Sequence, residues 1–213
     1  MDNIIKMLSV NKDFRMVIAD TSQIAEKQLC DFSGKSYIRN FLEEVITGCT
    51  LLSAMNDFCQ KVSFTFRLAN DISIFCMIEN QKFSMEYCDN LHEFTGKITD
   101  LFNIKSVLSI TSGDWNTGLH TGTVEASIDH VSMLLSHFSV QREQLPSHFI
   151  IAGKYCSTRG LLMQPLPFAD EKEMEKIDAE LVYLRQRLEN EHWNELPNLF
   201  SHLANVVSEN TIE

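Results

Sequence analysis

The chain has 213 residues, 44% of them hydrophobic, and a formal net charge of −11 at pH 7. That length favours one sizeable domain plus an appendage, and the acidic balance, with lysine and arginine spread thinly, disfavours a nucleic-acid phosphate surface. No signal-peptide pattern opens the chain and no run of about 18 apolar residues could span a bilayer, so a soluble, cytoplasmic protein with no nucleic-acid or membrane partner is expected.

In chain order, Phe14, Met16, Val17, Ile18 and Ala19 suit a strand opening a sheet. Residues 20–22 offer the cap of a short helix ending near Gln28. Ser33 is the expected cap of a longer helix, with Phe32 stapled onto Tyr37. That helix runs to about Asp57. Ile38, Phe41, Leu42, Val45, Ile46, Cys49, Leu52 and Met55 share one face, and its second half is apolar nearly all round, as in a helix buried between layers.

Residues 61–88 change to period two. Val62, Phe64, Phe66 and Leu68 alternate with polar positions, Asn70-Asp71 turns the chain, Ile72, Ile74 and Cys76 alternate again, and Asn80-Gln81 turns into Phe83, Met85 and Tyr87. This predicts a three-stranded antiparallel meander with one face on a core. Residues 107–111 read as a further strand, residues 121–138 as a helix with Val124, Ile128, Val131, Met133, Leu134, Leu135 and Phe138 on its apolar side, and residues 149–152 and 161–163 as a returning strand pair. The fold class is α+β, mostly antiparallel sheet packed with helices, one of them long and buried.

From Gly160 to Leu188 an apolar strand end and two prolines (Pro165, Pro167) lead into a helix start. Asp170 is the expected cap, with Glu173 three residues on, acidic residues in the first turn and Arg185 and Arg187 late, as the helix dipole prefers. Met174, Ile177, Leu181, Leu184 and Leu188 then recur at spacings of three and four, one stripe of a helix that lies either on the protein's own sheet or on a partner. The spacing also suits a two-helix seam between copies. The last residues read as an ordinary frayed terminus.

Enzyme chemistry does not assemble. Cysteines stand at 30, 49, 59, 76, 88 and 156 with no CxC or CxxC pair, so they read as buried, reduced core thiols. His130 and His137 lie about 10 Å apart along a helix, too far to share a metal. Cys156 has no neighbour that would lower its thiol pKa, Glu125 reads as a first-turn carboxylate, and Gly153-Lys154 lacks the spacing of a phosphate loop. No catalytic, cofactor-binding or metal site is expected.

Several segments together resemble a known family. These are Asp31-Phe32-Ser33-Gly34 leading into the helix that ends over 51–57, the strand 62–68, the stretch 112–131, residues 141–146, and residues 161–167 with the acidic helix behind them. Across roughly residues 10–190 they follow the order of the core domain of the 33 kDa chaperonin (heat-shock protein 33) family. The resemblance implies a chaperonin-like core over 1–168, a helical linker-like segment over 169–213, and ATP-independent holdase binding of unfolded or partly folded client proteins. It also makes a homodimer plausible. The family's CxC and CxxC zinc module has no counterpart after Cys156, and Ala69-Asn70-Asp71 stands where the family has a glycine-rich turn. The redox switch therefore does not carry over, and a natural relative without the zinc module is expected. The alternative is a non-chaperone interaction or dimerisation module that retains the fold.

Overall fold

A computed structural model describes residues 2–56, 61–114, 118–126, 128, 130–152, 158–167, 169–190, 192–196, 198, 201 and 203–212. Ten strands form two five-stranded sheets, antiparallel throughout. The first is built from β1 (Asp2–Ser9), β2 (Phe14–Asp20), β8 (His148–Ala152), β9 (Arg159–Pro165) and β10 (Ala204–Ile212), in the order β10-β1-β2-β9-β8. The second holds β3 (Lys61–Arg67), β4 (Ser73–Glu79), β5 (Lys82–Tyr87), β6 (Val107–Asp114) and β7 (Gly118–Glu125), in the order β5-β4-β3-β6-β7. Helices α1 (Ser22–Gln28), α2 (Ser36–Met55), α3 (Asn90–Glu93), α4 (Val131–Phe138) and α5 (Glu171–Asn190) complete the fold.

The long helix α2 lies between the sheets, against β2, β9 and β8 on one side and β4 on the other. From Val45 to Met55 every residue is buried, which is why the sequence there is apolar nearly all round. Two glycines let the layers close. A Cβ at Gly48 would meet Leu135 Cδ1 of α4 at 2.5 Å, and one at Gly160 of β9 would meet Leu51 Cδ1 and Thr47 Cγ2 of α2 at 2.6 and 2.7 Å. The meander expected over 61–88 forms as β3, β4 and β5, with Asn80 and Gln81 both at positive φ in the two-residue connection that joins Glu79 to Lys82.

Four local expectations are corrected. Ser33 does not cap α2: the helix starts at Ser36 behind an extended Lys35 with no side-chain cap bond. Phe32 packs on the rings of Tyr87 and His92 instead of stapling to Tyr37, and this draws Ser33 onto His92 Nδ1 at 3.1 Å. Residues 118–125 form a strand before α4 begins at Val131, because Thr121 and Thr123 hydrogen-bond across the ladder to Thr111 and Ser109 (2.8 and 3.0 Å). β1 was not anticipated. Nor was β10: the expected frayed end pairs with β1 from Asp2↔Ile212 to Ser9↔Ala204.

Candidate functional site: the outer face of the first sheet

The first sheet is apolar on both faces. Ile4, Val17, Ala19, Phe149 and Leu162 join the main core with α2. The alternate residues Ile5, Met7, Phe14, Met16, Ile18, Leu161 and Met163 face the other way and build a second, smaller cluster. A two-sided apolar sheet must be covered twice, and on this outer face the cover is α5 with the segment behind it.

Helix α5 begins as expected at its start signal: Asp170 Oδ1 accepts the Lys172 N–H at 2.8 Å. The corner before it is tied to the β1–β2 turn, where the Asp13 carbonyl accepts the Leu166 N–H (2.7 Å) and Asp13 Oδ1 accepts the Asp170 N–H (3.1 Å). Of the stripe, Leu184 and Leu188 are fully buried in the outer cluster, and Met174 and Leu181 are half-buried against it. Ile177 lies on the same helix, its side chain outside what the structure describes. Leu196 and Ala204 are buried there too, with Trp193 and Leu203 partly so. At the far end Arg159 of β9 bridges sheet and helix: Nε donates to Asp20 Oδ2 (3.2 Å) and Nη1 to the Leu188 carbonyl (3.4 Å), a cation on the last turn of a helix.

The joint is nevertheless light. Half of the residues of α5 are charged, and each fully buried leucine stabilises by only about 1.5–3 kcal/mol. Ordering the helix costs of order 1–2 kcal/mol per residue in backbone entropy. Segments held by few buried apolar contacts open at lower free energy than the core around them.

Sequence reasoning named the stripe but missed the sheet face beneath it and the Arg159 latch. The signal for the face was present as two parities: Phe14, Met16 and Ile18 against Val17 and Ala19. The latch carried none, since Asp20 and Leu188 meet Arg159 only in three dimensions.

The expectation that the cysteines are buried core thiols is corrected for Cys30 and Cys88. Cys49 and Cys76 are buried, Cys88 is half-buried and Cys30 is exposed; Cys59 and Cys156 lie outside the described residues. Among the described residues no three His, Cys, Asp or Glu side chains converge as metal ligands. With no cysteine after Cys156 in the sequence, the residues present do not fit the zinc module that the resemblance would carry. Burial pushes the Cys49 thiol well above its ordinary value near 9.0, with the neighbouring Cys76 adding to the shift. His137 and Glu125 lie on separate elements, α4 and β7. No described helix is long and apolar enough to cross a membrane.

Residues 2–211 match the family model described as Hsp33 protein. No curated protein matches the chain. Among solved structures, the 33 kDa chaperonin (heat shock protein 33 homolog) from Thermotoga maritima is similar with a TM-score of 0.73 at 14% sequence identity, covering 99% of this chain and 79% of that one. At that identity the likeness bears on the fold alone.

Proposed function

Because the chain belongs to the Hsp33 family, we propose that it is an ATP-independent, holdase-type molecular chaperone that binds unfolding proteins and lacks a zinc and thiol switch. The observation that carries this reading is the outer face of the first sheet, an apolar surface sheltered by a half-charged helix and the segment behind it. Lifting α5 would bare that face together with the stripe of Met174, Ile177, Leu181, Leu184 and Leu188, two apolar surfaces suited to the apolar segments of an unfolding client. Within the segment 169–213, α5 then acts as a reversible cover while β10 stays paired to β1, and nothing in the step needs a nucleotide or metal.

Light scattering of a thermally unfolding client, with and without the protein and with no ATP present, tests it. Aggregation should be suppressed, and a Leu184→Ser, Leu188→Ser double variant should suppress it at lower protein concentration because its cover lifts more readily. Peroxide followed by dithiothreitol should leave the activity unchanged. A wild-type protein and double variant that both leave aggregation untouched would return the fold to the alternative, an interaction module without chaperone activity.

A further inference from the structure

Two five-stranded open sheets present four edge strands, and an unpaired edge is a template for any extended chain unless something blunts it. Three of the four are blunted. On β5 the Gln28 side-chain amide imitates a neighbouring strand, donating to the Phe83 carbonyl (3.2 Å) and accepting the Met85 N–H (3.0 Å). On β7 the Arg142 guanidinium covers the Thr123 carbonyl (Nε at 2.8 Å). Edge strand β10 carries a carboxylate, Glu209, with polar Asn205, Ser208 and Asn210, beside exposed Val206 and Val207.

The fourth edge, β8, reads His148-Phe149-Ile150-Ile151-Ala152, with no proline, lysine or carboxylate. The Ile150 carbonyl oxygen lies 3.3 Å from where a Cβ on Gly160 would stand, so Ile150 turns its polar groups toward β9. Alternation along an antiparallel ladder then points the N–H and C=O of Phe149 and Ile151 outward, where no described residue pairs with them.

That outward edge opens into a cavity of about 460 Å³. Phe149, Ile150 and Ile151 form its floor, Met133 of α4 one wall, and Leu181 and Arg185 of α5 the other. The walls are helices packed against β8 from opposite faces of the sheet, so the groove runs along the strand between them. Met133 is 55% exposed, an apolar side chain facing an apolar floor across open space. At the rim Arg185 is ion-paired with Glu189 (3.6 Å) and Glu44 also lines the cavity, so the charges there offset one another and the apolar floor and the open backbone groups of the edge define the occupant.

We propose that the β8 edge binds an extended polypeptide segment by strand addition, its backbone pairing with Phe149 and Ile151 and its apolar side chains meeting Met133 and Leu181. This is a site of β-augmentation that operates with α5 in place, distinct from the sheet face beneath that helix. The holdase reading supplies only the source of the segment; the binding does not depend on it.

The probe is a short fluorescein-labelled peptide alternating valine with threonine, used with the full chain. Amide exchange followed by NMR should show Phe149 and Ile151 protected at least about tenfold more with peptide bound. N-methylating the peptide's alternate amides on one edge should weaken binding by about tenfold or more, and methylating the other edge should not. Met133→Glu, on an exposed side chain, should weaken binding without lowering the melting temperature. The inference is overturned if N-methylation on either edge is harmless, or if protection appears along β2 and β9 instead of β8. It is also overturned if Phe149 and Ile151 become protected with rising protein concentration alone, since the occupant is then a second copy. A chain that binds the peptide this way yet leaves an unfolding client to aggregate keeps the strand site and loses the holdase function; suppression of aggregation with no peptide binding does the reverse.

Discussion

Two hydroxyls on α2 sit in the most crowded part of the molecule with nothing to bond. Thr50 Oγ1 and Ser53 Oγ are buried and without a hydrogen-bond partner among the described residues, whereas Thr47, one turn earlier, donates to the Glu43 carbonyl at 2.9 Å and touches Thr21 Oγ1 at 2.8 Å. A buried polar atom left unsatisfied costs about 1–3 kcal/mol, and replacing it by an apolar group of the same shape removes that cost. Thr50→Val and Ser53→Ala should therefore raise stability to urea by about 1 kcal/mol each, while Thr47→Val lowers it. Loss of stability in both of the first two would mean that their hydroxyls are bonded after all. Cys49, on the same helix, makes a pH prediction. Its thiol is held protonated in the folded protein, above its ordinary value near 9.0. The unfolded thiol ionises first as pH rises, so the unfolded state then binds fewer protons and gains stability relative to the fold. Below the ordinary thiol value the contribution is fully present, and it is lost as pH climbs from there toward the folded value. Melting temperature should fall on the alkaline side more steeply in the wild type than in Cys49→Ala; equal slopes would assign the alkaline loss to other groups.

Among the elements, those that were legible in the sequence are those whose partners are close along the chain. The β3–β5 meander announced itself through strict alternation at Val62, Phe64 and Phe66 and through turn residues able to adopt positive φ at Asn70, Asp71 and Asn80. Helix α2 was legible because burial on all sides leaves an unbroken apolar run, and α5 because its cap, acidic first turn and stripe agree. What failed was pairing at long range. β10 exists through β1, Asp2 opposite Ile212, while β1, although it also pairs with its neighbour β2, carries too little alternation to declare a strand alone. In 118–125 the spacing of Val124 and Ile128 suggested a helix, but the threonines opposite β6 decided the matter. The stripe of the candidate site was legible and its counter-surface was not, because a helix shows its apolar side in one window while a sheet face is assembled from four strands.

That assembly makes α5 separable from the rest. Its tie at the sheet, beyond Leu184 and Leu188, is the Arg159 bridge between Asp20 and the Leu188 carbonyl. Arg159→Ala should raise amide exchange throughout α5 while leaving α2 protected as before. Leu184→Ser should do the same and lower the melting temperature as well, since losing a buried leucine costs about 2–5 kcal/mol. Uniform loss of protection across both helices would show that α5 opens only with the whole fold.

At the scale of the whole molecule, the same leucines cannot serve two surfaces at once. A homodimer with α5 at its two-fold contact would use the stripe as a seam of about three heptads, short for a coiled coil without tertiary support. Leu184 and Leu188, however, are already 2% and 0% exposed against the first sheet. Self-association through this helix must therefore compete with its docking, and whatever loosens the docking should favour the dimer. Sedimentation over a hundredfold range of concentration gives the test. The wild-type chain should shift toward dimer only at the upper end, Arg159→Ala should shift at lower concentration, and Leu184→Asp, which spoils both surfaces, should stay monomeric with a lowered melting temperature. If Leu184→Asp dimerises as readily as the wild type, the contact between copies lies away from α5, and the stripe belongs to the intramolecular cover alone.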